Sequence, residues 1–211
     1  MRGGREPSAP DAPPRPRRRN VRSDTERNRR RLIRAAAYLV ARRGRAVKMT
    51  DVAERAEVST ATAYRHFGSV EEIVAEFRTD VGRQLLEFSN AERATGVARL
   101  RAVCGEWVRL TVKHGGAMVH TRSEDGYLQR LRAGAGYLSA QAEALAEPIS
   151  SATAELGFPD PGDIGLFLWN ILFDPREIFD LRDTELLDDE QITERLTGAF
   201  LGALQGWSNR L

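Results

Sequence analysis

Residues 48–67, KMTDVAERAEVSTATAYRHF, decide the fold of this chain. The inner face of one short predicted helix is marked by Met49, Val52, Ala53 and Ala56. After a tight turn, Ser59 offers a hydroxyl cap to a second helix, on which Ala63 and Phe67 face inward. Two short helices joined this closely cannot bury their apolar faces on each other alone. The pattern therefore predicts a helix-turn-helix completed by a third helix over residues 24–43.

Local signals predict where the helices around this motif begin and end. Ser23 and Glu26 form a capping box that predicts the start of the first helix, and Gly44 predicts its end. The inward stripe of that helix consists of Leu32, Ile33, Ala36, Leu39 and Val40. At the start of the next helix, Lys48 or Thr50 is predicted to hold a phosphate on exposed backbone N–H groups. Plain capping by Thr50 is the alternative.

These stretches resemble the DNA-binding domain of TetR-family transcriptional regulators. The resemblance rests on Leu32-Ile33-x-Ala35-Ala36-x-x-Leu39-Val40-x-x-x-Gly44, on Asp51-Val52-Ala53-x-x-Ala56-x-Val58-Ser59, and on Tyr64-x-His66-Phe67-x-Ser69-x-Glu71-Glu72-Ile73. It covers about 50 of the 211 residues. It implies an all-α protein with a disordered basic arm (1–22), a three-helix helix-turn-helix DNA-binding domain (23–68) and a C-terminal helical ligand-binding and dimerisation domain (69–211).

Two residues depart from the family pattern. Glu57 stands where the family usually has glycine in the turn, and a left-handed conformation costs another residue about 1 kcal/mol. Its charge is expected to face the nucleic acid. Val70 stands where the family usually has lysine at the start of the fourth helix, so one phosphate contact is expected to be missing.

Basic residues are concentrated at the N-terminus. Residues 1–48 contain 16 Arg or Lys and 4 Asp or Glu, so they carry +12 while the rest of the chain carries −10. This asymmetry predicts contact with a polyanion. The alternative is a compositional bias toward arginine, which explains why these residues are arginines but not why they cluster at one end. Residues 1–22 are predicted to be disordered. Their Arg17, Arg18 and Arg19 form a basic arm that either enters a minor groove or remains a solvated tail.

The second helix of the motif, residues 59–66, is the predicted reader of DNA bases. Its Thr60, Ala61 and Arg65 offer a hydroxyl, a methyl contact for thymine and a bidentate guanidinium for guanine. The resemblance assigns Tyr64 and His66 mainly to the phosphate backbone, with packing and a helix-dipole role as alternatives. The full predicted set is Lys48, Thr50, Ser59, Thr60, Ala61, Thr62, Tyr64, Arg65 and His66, together with the arginine arm.

The rest of the chain is predicted to be helical. A long fourth helix follows Ser69, with an inner stripe of Ile73, Phe77, Val81, Leu85 and Phe88. Residues 95–157 hold two or three helices, and breaks are predicted at Gly134, Gly136 and Pro148. Residues 161–181 are strongly apolar, which indicates burial on more than one side, and Pro175 is expected to kink or end their first part. Asp174–Arg176 is a candidate turn.

The last predicted helix, residues 188–208, carries glycines at every fourth position. Each interior glycine costs up to about 1 kcal/mol relative to alanine, so three in register suggest close approach of another helix. We expect this helix and residues 161–181 to form a four-helix interface in a homodimer, with packing inside one chain as the alternative. The predicted dimerisation residues are Gly198, Ala199, Gly202, Ala203 and Gly206. A two-fold dimer places two readers one duplex turn apart.

Large or soft side chains in the apolar middle are the candidates for a small-molecule site. They are Phe88, Cys104, Trp107, Tyr127, Trp169 and Phe173, and core packing is the alternative for each. His114 and His120 are expected at exposed positions, with a polar ligand contact as the alternative. The resemblance implies a repressor whose double-stranded DNA operator is released when a small-molecule effector binds. The alternatives are a helical protein-interaction module with a basic tail and a TetR-like activator.

Other classes of function find little support in the sequence. Cys104 and His114 lie on different faces of one predicted helix, and His114, His120, Glu124 and Asp125 match no metal-ligand spacing. Without a phosphate loop or nucleophile elbow, we expect no enzymatic activity, cofactor or metal. The single cysteine fits a reducing cytoplasm. No leader or bilayer-length apolar stretch occurs, so we predict a cytoplasmic protein with no membrane partner.

Overall fold

The computed structural model describes residues 18–119 and 125–208. Regular structure within those ranges is helical throughout, which confirms the all-α prediction. The α-helices are α1 (Arg18–Arg43), α2 (Met49–Arg55), α3 (Thr60–His66), α4 (Val70–Ala91), α5 (Gly96–His114), α6 (Tyr127–Arg132), α7 (Gly136–Glu155), α8 (Asp163–Leu172), α9 (Pro175–Asp183) and α10 (Asp189–Ser208). Short 3-10 turns follow α1 and α5, at Gly44–Ala46 and Gly115–Met118.

The first three helices form the predicted helix-turn-helix. α1 packs on α2, and α2 packs on α3. Their shared core contains side chains that are almost fully buried: Leu32, Ala36, Val52, Ala53, Ala63 and Phe67. The predicted roles of Ala63 and Phe67 as inward anchors are confirmed, and the outer face of α3 is left to solvent.

α1 begins earlier than the capping box predicts. The helix starts at Arg18, so Ser23 lies inside it and the prediction of a start at Ser23 is wrong. The Glu26 carboxylate accepts a hydrogen bond from Arg30 Nε at 3.0 Å, one turn along the same helix. Residues 18–22 were predicted to be disordered, and their backbone is instead helical. Arginine is a good helix former, so this polar sequence can extend a helix that is anchored further along.

α4 links the helix-turn-helix to the rest of the molecule. Ser69 Oγ accepts a hydrogen bond from the Glu72 backbone N–H at 3.1 Å, which confirms the predicted cap. The inner stripe is buried at Ile73, Phe77, Val81 and Leu85, while Phe88 is half-buried. α4 packs against α1 near its start and mainly against α7 along its length. One continuous helix therefore belongs to both cores.

The predicted break at Pro148 is wrong, because α7 runs through this residue from Gly136 to Glu155. A proline removes the N–H that would bond the carbonyl four residues earlier, here that of Ala144. The buried Ser89 hydroxyl of α4 donates to this carbonyl at 2.7 Å. A side chain from another helix thus satisfies the acceptor that the proline leaves open, and the helix continues.

α8, α9 and α10 complete the C-terminal part. As predicted, the first part of the apolar segment ends before Pro175, since α8 stops at Leu172. Asp174 caps α9 by accepting from the Arg176 backbone N–H at 2.9 Å, and Pro175 is the first residue of that helix rather than the centre of a turn. The described helices include none with the length and apolarity required to traverse a bilayer.

Candidate nucleic-acid interface and effector cavity

The outer face of α3 is polar and accessible. Ser59 caps the helix by accepting from the Thr62 backbone N–H at 3.1 Å. Tyr64 is 57% exposed, although it is a large aromatic residue. Ala61 and Arg65 are also exposed, whereas Thr60, Thr62 and His66 are half-buried. Of the three residues predicted to read bases, Ala61 and Arg65 are therefore exposed to solvent, and Thr60 is partly covered.

Hydrogen bonds orient Arg65 on this surface. Thr62 Oγ1 lies 2.7 Å from Arg65 Nη2 and 2.9 Å from Ser59 Oγ. A guanidinium has five N–H donors, so one bond to a hydroxyl leaves the others available for an acceptor pair on a base. Holding the arginine in place before binding reduces the entropy lost on complex formation.

Glu57 adopts the left-handed conformation predicted from its place in the turn, with φ of 53°. The turn is closed by a hydrogen bond from the Val58 backbone N–H to the Ala53 carbonyl at 3.0 Å. The Glu57 carboxylate also forms an ion pair with Arg31 of α1. This pair ties the turn to the first helix and partly neutralises a charge next to the reader helix.

The start of α2 differs in detail from the prediction. Lys48 is the N-cap residue, and its backbone N–H donates to Asp51 Oδ2 at 2.9 Å. The alternative in which Thr50 acts as the cap is wrong, because Thr50 lies inside the helix. Lys48 and Thr50 are both exposed, so either can meet a phosphate at the helix start.

Of the three arginines of the basic arm, Arg17 lies outside the described residues. Arg18 and Arg19 form the first turn of α1. The prediction of a flexible arm is therefore wrong for these two residues. Contact with DNA remains a prediction for all three arginines.

A cavity of about 400 Å³ lies among α4 to α9, in the size range of small-molecule sites. We call it the effector cavity. Of the six predicted ligand residues, Trp107, Tyr127 and Phe173 line it. Phe88 does not belong to its lining. Cys104 and Trp169 lie behind the wall, which supports the packing alternative for these three residues.

The wall of the cavity is a connected aromatic cluster. Trp169 stacks on Phe173 with ring centroids 5.1 Å apart, and meets Trp107 edge-on at 5.3 Å. The Trp107 indole N–H donates to the Phe173 carbonyl at 2.9 Å, and the Trp169 indole N–H points at Cys104 Sγ at 3.4 Å. Burial raises the pKa of the Cys104 thiol to about 12, so it remains protonated and unreactive.

The structure places His114 differently from the expectation of an exposed residue. It is half-buried and packs edge-on against Phe77 of α4, with ring centroids 5.3 Å apart. Burial lowers the pKa of His114, and the neighbouring charges of Lys113 and Arg109 lower it further. His120 and Glu124, the other members of the rejected metal cluster, lie outside the described residues.

Sequence reasoning missed three arginines that line the cavity. They are Arg78 of α4, Arg130 of α6 and Arg176 of α9. A charged residue on an amphipathic helix normally faces solvent, and no spacing in the sequence distinguishes these three from the other arginines. Only the packing of distant helices brings them together.

Comparison with known proteins agrees with this geometry. Residues 32–77 match the model of bacterial regulatory proteins of the tetR family. The solved structure of the fatty acid degradation regulator FadR from Bacillus halodurans is similar, with a TM-score of 0.63 and 15% identity, covering 83% of this chain and 95% of that one. No curated protein gives a significant match to the sequence.

Two further solved structures resemble the whole fold. A TetR-family transcriptional regulator from Streptomyces coelicolor has a TM-score of 0.59 and 20% identity, covering 85% of this chain and 83% of that one. NalD, the secondary repressor of the MexAB-OprM multidrug efflux pump in Pseudomonas aeruginosa, has a TM-score of 0.56 and 21% identity, covering 85% of this chain and 96% of that one. The likeness therefore extends well beyond the helix-turn-helix.

Proposed function

We propose that this chain, whose residues 32–77 belong to the TetR family of bacterial regulatory proteins, is a homodimeric transcriptional repressor released from its operator by a small molecule. The observation that carries the proposal is the outer face of α3, where an exposed Tyr64 and an oriented Arg65 stand on a helix anchored by buried Ala63 and Phe67. The similar structure NalD is that of a repressor, which supports repression over activation.

In the proposed complex, α3 enters the major groove and divides its contacts between bases and phosphates. Arg65, held by Thr62, reads a guanine through its O6 and N7 acceptors. Tyr64 and His66 contact the phosphate backbone, and Lys48 at the start of α2 adds a further phosphate contact. One such helix reads too few bases for selectivity, so two subunits on a palindrome are required.

The surface of α10 supports the dimer. Gly198, Gly202 and Gly206 are exposed, and a Cβ added at any of them would meet no described atom within 4 Å. This open space favours an interface with a second copy over the alternative of close packing inside one chain. On α8, Ile171 is 50% exposed in the single chain. A second copy that covers both surfaces would explain the apolar character of α8 and the small residues of α10.

Analytical ultracentrifugation tests this interface with the variant Gly202→Leu. A leucine at an exposed helical position leaves the monomer fold intact and improves helix propensity, so a shift from dimer to monomer would locate the interface at α10. Glu87→Leu, which adds a leucine to the exposed face of α4, is the control and should remain dimeric. A Gly202→Leu protein that sediments as the wild type would contradict the proposed interface.

Release by an effector requires that the ligand bind the DNA-free conformation more tightly than the DNA-bound one. The effector cavity includes Arg78 of α4, the helix that a three-residue loop joins to α3. It also includes Met118, in the 3-10 turn that packs against α1. A ligand there would therefore contact two elements that both pack against α1 of the helix-turn-helix.

A binding titration with duplex fragments from the neighbouring promoter tests the DNA-binding function. We expect affinity to fall steeply as salt rises, and Arg65→Ala to lose discrimination between promoter and random DNA. Arg83→Ala is the matched control, because Arg83 is also an exposed helical arginine bonded to a side chain three residues earlier on its own helix, but it lies on α4. Equal losses in both variants, or no duplex binding at all, would favour the alternative of a protein-interaction module.

A further inference from the structure

We propose that the effector is an apolar molecule with an oxygen acceptor, such as an aromatic ketone, and that the Tyr127 hydroxyl donates the hydrogen bond that selects it. This inference rests on the proposed function, because it names the ligand class and one specificity-determining residue of the regulatory site. Three observations carry it: the place of Tyr127 in the effector cavity, its unpaired hydroxyl and the apolar wall beside it.

Tyr127 brings a buried polar group to the surface of the effector cavity. It is the first residue of α6 and lines the cavity. Only 6% of the residue is exposed, yet its Oη has no hydrogen-bond partner within residues 18–119 and 125–208. A buried hydroxyl without a partner is costly, and most buried polar groups in folded proteins are paired. A ligand bound in the cavity would supply the partner that the chain does not.

The hydroxyl is a donor throughout the physiological pH range. Burial raises the pKa of Tyr127 to about 12, so the phenol keeps its proton. A neutral phenol offers one O–H donor, and the group that answers it must have a free lone pair. Water can take this place in an empty cavity. A ligand that displaces this water without an acceptor of its own loses the hydrogen bond.

Three deeply buried residues give the cavity an apolar wall. Trp107, Met118 and Phe173 are at most 7% exposed. The Trp107 indole N–H already donates to the Phe173 carbonyl at 2.9 Å, so the ring offers a ligand its apolar surface. Aromatic side chains pack well against flat apolar groups, and the burial of apolar surface favours binding. The wall therefore fits an aromatic or other apolar ligand body.

A second polar side chain is compatible with a ligand oxygen. Gln141 of α7 is 7% exposed and lines the same cavity. Its amide has two N–H donors in addition to its acceptor. A pure hydrocarbon would fill the apolar part of the cavity and leave the Tyr127 hydroxyl buried and unpaired. A protonated amine has no lone pair with which to accept from it.

A matched pair of probes tests this selection without DNA. Methyl naphthyl ketone and isopropenylnaphthalene, substituted at the same ring position, have nearly the same shape and differ in a carbonyl oxygen against a methylene carbon. Equilibrium dialysis of the full-length protein measures the dissociation constant of each probe. The ratio of the two constants is then compared between the wild type and Tyr127→Phe, which cancels the difference in hydrophobicity between the probes.

We expect Tyr127→Phe to weaken binding of the ketone at least about fivefold, the effect of one neutral hydrogen bond, and not to weaken binding of the hydrocarbon. Tyr38→Phe is the matched control. It removes the same hydroxyl from a tyrosine of α1 whose ring lies against Arg42 and Arg55 instead of the cavity, and it should leave the ratio unchanged.

The unliganded protein provides a second measurement. Because the Tyr127 hydroxyl makes no hydrogen bond to the described residues, Tyr127→Phe should leave the melting temperature unchanged or raise it. A lower melting temperature would show that the hydroxyl has a structural partner and would overturn the inference. An unchanged ratio in Tyr127→Phe, an equal effect of Tyr38→Phe, or the absence of binding of both probes to the wild type would also overturn it.

DNA binding is measured separately, so that the two proposals can fail independently. A protein whose Tyr127 selects the ketone but which ignores duplex DNA would refute the repressor. A protein that binds its promoter, but whose preference between the probes does not depend on Tyr127, would refute only the ligand class.

Discussion

Replacing Glu57 with glycine tests the turn that precedes the reader helix. The left-handed conformation costs a non-glycine residue about 1–2 kcal/mol, and glycine would relieve it. Two losses oppose this gain. The ion pair with Arg31 is lost, which costs at most about 1 kcal/mol because the Glu57 side chain is 80% exposed. Glycine also has more conformational freedom in the unfolded chain, which costs about 0.5–1 kcal/mol. We expect the free energy of unfolding to stay within about 1 kcal/mol of the wild-type value.

DNA affinity should respond more clearly than stability. Two unit charges about 8–10 Å apart in water interact by about 0.4–0.5 kcal/mol before screening, so losing the Glu57 carboxylate strengthens binding about twofold per subunit and about fivefold per dimer at low salt. If the Arg31 guanidinium, once released, also reaches a phosphate, the slope of log affinity against log salt steepens by about 0.9 per subunit.

Fluorescence anisotropy with a labelled promoter duplex, at salt concentrations of about 50–200 mM, measures both quantities. Glu57→Gln is the control that separates charge from backbone strain. It removes the carboxylate but retains the left-handed residue, so it should match the affinity of Glu57→Gly with no relief of strain. If both variants bind the duplex no more tightly than the wild type at low salt, the Glu57 charge does not face DNA and the reasoning fails.

Three further predictions follow from buried or exposed polar groups. Ser89→Ala should lower the free energy of unfolding by about 1–3 kcal/mol, measured by urea denaturation at fixed protein concentration. In a Pro148→Ala background the loss should be less than about 1 kcal/mol, because a backbone N–H again reaches the Ala144 carbonyl. Equal losses in the two backgrounds would show that the Ser89 hydroxyl does not replace the hydrogen bond that Pro148 removes. His114 has a lowered pKa in the folded protein, so the unfolded chain binds more protons and stability should fall as pH drops below about 6.5; His114→Leu should flatten this part of the profile. Tyr64→Ala should weaken promoter binding at least about tenfold, while thermal unfolding stays nearly unchanged because Tyr64 is exposed.

The helix-turn-helix could be predicted in detail because its determinants are local. The Ser59 cap and the inward pair Ala63 and Phe67 depend on residues within one or two turns of each other. Short-range rules of capping and periodicity are sufficient there. The left-handed conformation of Glu57 is expected from the resemblance instead, because the family usually has glycine at that place. The bounds of α4, α5 and α10 follow from similar signals.

The rest depends on contacts between distant parts of the chain. From the sequence, Pro148 predicts a helix break. In the structure the Ser89 hydroxyl, on another helix, donates to the Ala144 carbonyl that Pro148 leaves without its helical partner, and the helix continues. The cavity arginines come from α4, α6 and α9, and no local pattern marks them as neighbours. The early start of α1 at Arg18 does not depend on distant contacts. A helix that has already formed extends easily through neighbouring residues of adequate helix propensity.

Two short structural connections lead from the cavity toward α3. Arg78 lies eight residues into α4, about 12 Å from the start of that helix at 1.5 Å per residue, so a rotation of this helix at the cavity would also move its first turn, which a three-residue loop joins to α3. The second connection runs through the 3-10 turn, where a Cβ on Gly116 would lie 2.9 Å from the Ala41 carbonyl oxygen of α1. Packing this close transmits a displacement instead of absorbing it. A ligand that moved Arg78 and Met118 together would push on α4 and α1 at once, and α1 packs directly on α2, which in turn packs on α3.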